Sequence, residues 1–125
     1  MTYLFAAVVG YLIGSINPAA IIARIRGVDY RSVGSGNPGA TNISRAMGRK
    51  TGILVGVLDV LKGFLPALAF SLWSGDIVLA EIAGFAAVLG HVTSPFLKGR
   101  GGKGVATSLG AILATNSTMG RIRPF

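Results

Sequence analysis

Long uncharged apolar stretches alternate along this chain with short basic gaps, and the alternation predicts its elements. Residues 2 to 23 carry no charge. As a helix those 22 residues exceed the about 20 that a hydrocarbon core requires. Asn17-Pro18 lies inside this segment and predicts a kink, because proline removes one backbone hydrogen bond. A second span is expected over residues 51 to 75, interrupted by Asp59 and Lys62, with Ser74-Gly75-Asp76 as a short turn after it. Residues 77 to 97 give a third span. A fourth begins at 104 to 120 but turns polar at Thr115-Asn116-Ser117-Thr118. The fold class is therefore all-α: one integral membrane domain over residues 1 to 125, a polytopic helix bundle of about four spans with glycine-rich loops at 24–50 and 98–103. A signal peptide would need a basic start and a shorter apolar core, and residues 2 to 23 have neither.

Composition strengthens this reading. The chain is 51 % hydrophobic and only 13 % charged, with a mean hydropathy of +0.65, too little polar surface for a water-soluble domain of this length. A net charge of +8, from 12 Lys and Arg against 4 acids, raises nucleic acid as a partner, and placement argues against it. Arg24, Arg26, Arg31, Arg45, Arg49 and Lys50 fill the first gap, and Lys98, Arg100 and Lys103 the second. Only Tyr30 accompanies the first cluster, and no aromatic residue is interleaved with the second to stack bases. Short cytoplasmic loops collect Lys and Arg. The two gaps are two spans apart, so both fall on one side, which is expected to be the cytoplasm, with Met1 and the Ser74–Asp76 turn outside. Arg121 and Arg123 break this pattern. Either the fourth helix is short or interfacial, or the chain is cut or altered after about Ala114; the second is the expectation. With no cysteine, thiol chemistry is excluded. One histidine and four scattered acids form no ligand cluster, so neither a metal nor a cofactor is expected.

Two glycine-rich stretches carry the candidate chemistry. Gly34-Ser35-Gly36-Asn37-Pro38-Gly39 leads into a short helix expected from about Pro38 to Met47, with Asn37 as N-cap and Gly48 just past the end. The free amides at its start, in Gly39, Ala40, Thr41 and Asn42, suit a phosphate, with Ser35 and Arg45 beside them. The stretch matches G-x-G-x-x-G but lacks the preceding strand and the acid about twenty residues on that a dinucleotide site needs; a loop that merely connects two spans is the plain alternative. Lys98-Gly99-Arg100-Gly101-Gly102-Lys103-Gly104 also opens a helix. It is not a Walker A loop, since Leu97 stands where the first glycine belongs and Gly104 where Ser or Thr belongs. Gly101, Gly102 and Gly104 with Lys103 nevertheless form a second candidate phosphate site, against the plain reading of a headgroup anchor.

Three ionisable residues lie inside the spans. Asp59 and Lys62 share a helical face, and Lys62 falls about 17 Å along the axis from Thr51, near mid-membrane. Such groups face a protein interior or a wet cavity; a structural ion pair and a direct ligand role both stay open. His91 is expected to be packed and hydrogen-bonded rather than a base. Glu81, near the outer end of its span, is expected to be solvated. A small transporter or anion-conducting oligomer is the alternative that these charges allow.

Taken together, Gly34-Ser35-Gly36-Asn37-Pro38-Gly39-Ala40-Thr41-Asn42, Asp59-Val60-Leu61-Lys62-Gly63, Gly90-His91 and Gly101-Gly102-Lys103-Gly104-Val105-Ala106-Thr107 resemble the PlsY family, the bacterial acyl-phosphate glycerol-3-phosphate acyltransferases. The resemblance implies transfer of a fatty acyl group from acyl phosphate to the 1-hydroxyl of sn-glycerol 3-phosphate, giving lysophosphatidic acid and phosphate, at the inner face of the plasma membrane. It also implies that Ser35 and Arg45 are important for activity, and that Gly101, Gly102, Lys103 and Gly104 form the glycerol 3-phosphate loop. A third family motif, with a functional histidine and asparagine, is absent from this chain, which is expected to be C-terminally incomplete. With no Ser-His-Asp arrangement evident, direct transfer is expected, Arg45 and Lys103 acting as electrostatic clamps.

Overall fold

The computed structural model describes residues 2–95 and 102–118, with side chains described as far as Thr115. The described residues form six α-helices: α1 (Thr2–Ser15), α2 (Pro18–Arg26), α3 (Ala40–Met47), α4 (Arg49–Ser74), α5 (Ile77–Thr93) and α6 (Val105–Thr118), with one 3-10 turn at Tyr30–Ser32. The runs Thr2–Arg26 and Arg49–Ser74 are long and apolar enough to cross a membrane, while Ile77–Thr93 and Val105–Thr115 are shorter apolar helices. Leu4, Phe5, Leu12, Leu65, Phe85 and Ile112 are among many large apolar side chains left exposed on the outer surface, which suits a lipid surround.

Small residues let the helices approach closely. A Cβ on Gly10 or Gly14 of α1 would run into the carbonyls of Ala83 or Ala87 of α5, and one on Gly90 into that of Tyr11. Residue numbers rise together at these contacts, so α1 and α5 run in the same direction. Between α4 and α6 the intimacy is reciprocal: Gly63 receives the carbonyl of Thr107, and Gly110 that of Val60. This is how apolar helices associate where water supplies no driving force between them. Gly75, in the left-handed conformation, ends α4, and Asp76 caps α5 through the amide of Val78 at 2.9 Å, so α4 and α5 are antiparallel. The starts of α4 and α6 and the ends of α1 and α5 therefore gather at one end of the bundle. At the other end Phe70 stacks edge-on with Phe5 and Trp73 at 5.8 and 5.9 Å.

The expected kink at Asn17-Pro18 is instead a full break. The Asn17 side chain accepts the amide of Ala20 at 2.9 Å and restarts the helix as α2, so that amide no longer serves Ile16. The carbonyls of Ser15 and Ile16 turn to side chains: Ser94 Oγ donates to the first at 2.6 Å and Lys62 Nζ to the second at 2.9 Å. Thr115, expected to sit poorly in lipid, donates its hydroxyl to Ala111 O at 3.1 Å; a helix hides a threonine from lipid in this way.

Candidate functional site

Helix α3 starts later than its sequence suggests. Gly39 is the N-cap, and Asn37 makes no cap bond to the helix; its own amide instead donates to Ser35 Oγ at 3.3 Å. The expected Asn37 cap is therefore not made, and the cap position falls to Gly39. Ile43 N bonds to Gly39 O, which leaves Ala40, Thr41 and Asn42 as the first-turn amides without intrahelical acceptors. Gly34 and Gly36 have φ of 51° and 71°, a conformation that favours glycine. At Gly34 the missing side chain also matters, because a Cβ would lie 2.5 Å from Asn42 Oδ1 and 3.2 Å from Arg45 Nη1. The Arg45 side chain therefore lies over the turn that carries Ser35. Asn42 is buried and ties this assembly to Tyr30, its Nδ2 donating to the carbonyl at 3.1 Å.

What holds α3 in place is α4. Gly52 accommodates Ser44, with Ala40 O 2.8 Å from where its Cβ would lie, and Gly56 faces the Ala40 methyl. Behind it, Arg26 Nη1 donates to Thr51 Oγ1 at 2.8 Å. Ser35, Thr41 and Arg45 are exposed and open to a ligand.

The second glycine stretch lies partly outside the described residues, Gly101 among them. Gly102 is buried against His91: its amide donates to His91 O at 3.1 Å, and a Cβ on it would meet the ring at Nε2. The Gly102 amide is therefore not a free phosphate donor as expected; the carbonyl end of α5 takes it first. Gly104, at φ 82°, precedes α6 and gives its carbonyl to Ser108 N at 2.9 Å, so the amides left over are those of Val105, Ala106 and Thr107. Lys103 is exposed.

Residues from the first turns of α3 and α6 line one space. A groove of about 510 Å³ is lined by Ala40, Thr41 and Ser44 of α3, by Gly52, Gly56 and Val60 of α4, and by Ala106 of α6. Each helix N-terminus carries about half a positive charge, so two of them beside an apolar wall suit an oxyanion.

Asp59, Lys62 and His91 form a buried charge cluster. Lys62 Nζ is 3.3 Å from Asp59 Oδ1, 2.6 Å from His91 Nδ1 and 2.9 Å from Ile16 O. All three side chains are at most 7 % exposed. The ammonium donates to His91 Nδ1 and Ile16 O, and its contact with Asp59 is an ion pair in which Oδ1 makes no hydrogen bond. Between the two roles left open for Lys62, the geometry favours the structural one.

These features define an all-helical, apolar protein that presents paired helix N-termini and basic side chains at one end of its bundle. A family model described as glycerol-3-phosphate acyltransferase matches residues 4–123. The glycerol-3-phosphate acyltransferase of Aquifex aeolicus is 48 % identical over 120 residues, which cover 95 % of this chain and 62 % of that protein. Glycerol-3-phosphate acyltransferase 1 of Deinococcus radiodurans is likewise 48 % identical, over 96 % of this chain and 61 % of that protein. A crystal structure of PlsY, an integral membrane glycerol 3-phosphate acyltransferase, in its glycerol 3-phosphate form matches with a TM-score of 0.87 at 47 % identity, covering 94 % of this chain and 60 % of that one. The lysophosphatidic acid form matches with a TM-score of 0.84 at 45 % identity, covering 94 % and 59 %. The chain belongs to the glycerol-3-phosphate acyltransferase family, as its motifs indicated. It spans about three-fifths of the length of these relatives.

Proposed function

We propose that this chain forms the phosphate-binding part of an enzyme that transfers a fatty acyl group from acyl phosphate to the 1-hydroxyl of glycerol 3-phosphate, releasing lysophosphatidic acid and phosphate. The observation that carries the reading is the groove shared by the starts of α3 and α6, where Ala40, Thr41 and Ala106 line one space. Both substrates are phosphorylated, and one is also a lipid; two amide clusters beside an apolar wall match that pair. Acyl phosphate is a mixed anhydride with a good leaving group, so the enzyme's task is to align the attacking hydroxyl and stabilise negative charge. In this reading Ser35 and the amides of Ala40 to Asn42 bind one phosphate. Arg45 and Lys103 act as electrostatic clamps, and Gly104 sets the turn that leaves the amides of Val105 and Ala106 for a ligand. Transfer is direct, without an acyl-enzyme.

The protein is placed in the bacterial plasma membrane with the glycine loops on the cytoplasmic face, in keeping with the nine basic residues from Arg24 to Lys50 and Lys98 to Lys103. The test is phosphate release from acyl phosphate in proteoliposomes: release that requires glycerol 3-phosphate supports acyl transfer, whereas uptake of labelled anion without release supports a transporter. Trapping a stable acylated Ser35 would overturn direct transfer.

A further inference from the structure

The two helix starts belong to separate parts of the chain, and their spacing is set by something neither loop contains. Thr107 Oγ1, in the first turn of α6, donates to Asp59 O at 3.0 Å. Gly102, just ahead of that turn, is held by the carbonyl of His91 and packed against its ring. The main-chain carbonyls of Asp59 and His91, with the His91 ring, thus grip the α6 start from two sides, one from α4 and one from α5. Lys62 joins the two holders, reaching Asp59 Oδ1 at 3.3 Å and His91 Nδ1 at 2.6 Å. It also donates to Ile16 O, the carbonyl freed where Pro18 breaks the first helical run.

We propose that Asp59, Lys62 and His91 are positioning residues that fix the first turn of α6 against α4, and so hold its amides at the distance from α3 that a phosphorylated substrate needs. The proposal rests on the functional reading above for its substrate, but not for its geometry. Lys62 donates to His91 Nδ1 and to the backbone oxygen of Ile16 and is paired with the Asp59 carboxylate, so its ammonium is engaged inside the protein. Its effect on binding must pass through the helices it ties. Because α3 is seated on the same helix α4, at Gly52 and Gly56, a shift of α6 relative to α4 changes the width of the shared groove.

The test uses spin labels on Lys50→Cys and Leu109→Cys, two exposed sites in a chain without native cysteine. Distances are measured by pulsed electron resonance in lipid nanodiscs, and glycerol 3-phosphate affinity by calorimetry. The variants are Lys62→Met and the double variant Asp59→Leu with Lys62→Met. The single variant strands a buried carboxylate and is liable to misfold; the double variant removes both charges, a replacement that proteins tolerate well. The expected result is a shifted or broadened distance in the double variant together with affinity about 10-fold weaker, the scale of one charge-assisted hydrogen bond. A folded double variant with the parent distance overturns the proposal, whether its affinity falls or holds. If the parent itself fails to bind glycerol 3-phosphate, the functional reading fails, and the distance measurement still decides the positioning claim.

Discussion

Replacing Gly52 by alanine tests whether α3 must lie hard against α4 for the phosphate site to exist. The added methyl would fall 2.8 Å from Ala40 O and 2.9 Å from Ser44 Cβ, and onto Ser44 Oγ. Rotating that hydroxyl away sacrifices its 2.8 Å bond to Ala40 O and does not relieve the backbone contact. Ordinary van der Waals contact begins near 3.4 Å, so Ala40 must retreat by about 0.6 Å, and the first-turn amides move with it. Overpacking of this kind costs about 1–3 kcal/mol. Against it stands the helix preference of alanine over glycine, about 1 kcal/mol in the opposite direction. The clash wins or roughly breaks even in stability, but nothing offsets the displaced site. The expected outcome is a kcat/KM for acyl transfer reduced about 10-fold, equivalent to about 1.4 kcal/mol of transition-state binding. Gly56→Ala provides the graded comparison, since its methyl would meet only the Ala40 Cβ, at 3.3 Å, and it is expected to retain most of its activity. Parent-like kinetics in Gly52→Ala, or a larger loss in Gly56→Ala, would refute the argument.

Arg45→Ala removes an exposed guanidinium that lies over Gly34, so melting should be almost unchanged while kcat falls about 100-fold, the scale of a lost charge stabiliser; stopped-assay kinetics beside a thermal melt check this. Gly102→Ala drives a methyl into the His91 ring, and a weaker glycerol 3-phosphate affinity is expected even though the native Gly102 amide is already bonded to His91 O; calorimetry reads it directly. Asn17→Ala deletes the cap of α2 at Ala20 N and should cost about 1 kcal/mol of stability, measured by denaturant titration in mixed micelles.

The architecture was largely legible because apolar run length and basic gaps are coarse, additive signals. The turn at Ser74-Gly75-Asp76 is written in its residues, with Gly75 in the left-handed region and Asp76 as a cap. Local competition was harder to foresee. Asn37 has the chemistry of an N-cap, yet its side chain makes no cap bond and the cap position falls to Gly39. The break at Asn17-Pro18 was visible as a perturbation, but its consequence was not. A freed Ile16 carbonyl acquires meaning only when Lys62, 46 residues away in sequence, is packed beside it. The partnership of Lys62 with His91 is likewise a product of packing between α4 and α5. One signal went unused: Gly52 and Gly56, like Gly10 and Gly14, are spaced four apart, a spacing that marks close helix contact and pointed to where α3 and α5 are seated.

Amide chemical shifts under titration with glycerol 3-phosphate, recorded on isotope-labelled protein in nanodiscs, bear most directly on the shared site. The account predicts that Ala40, Thr41 and Asn42 shift together with Val105 and Ala106 and follow a single binding curve. Shifts confined to one helix start, or absent from both, would contradict it.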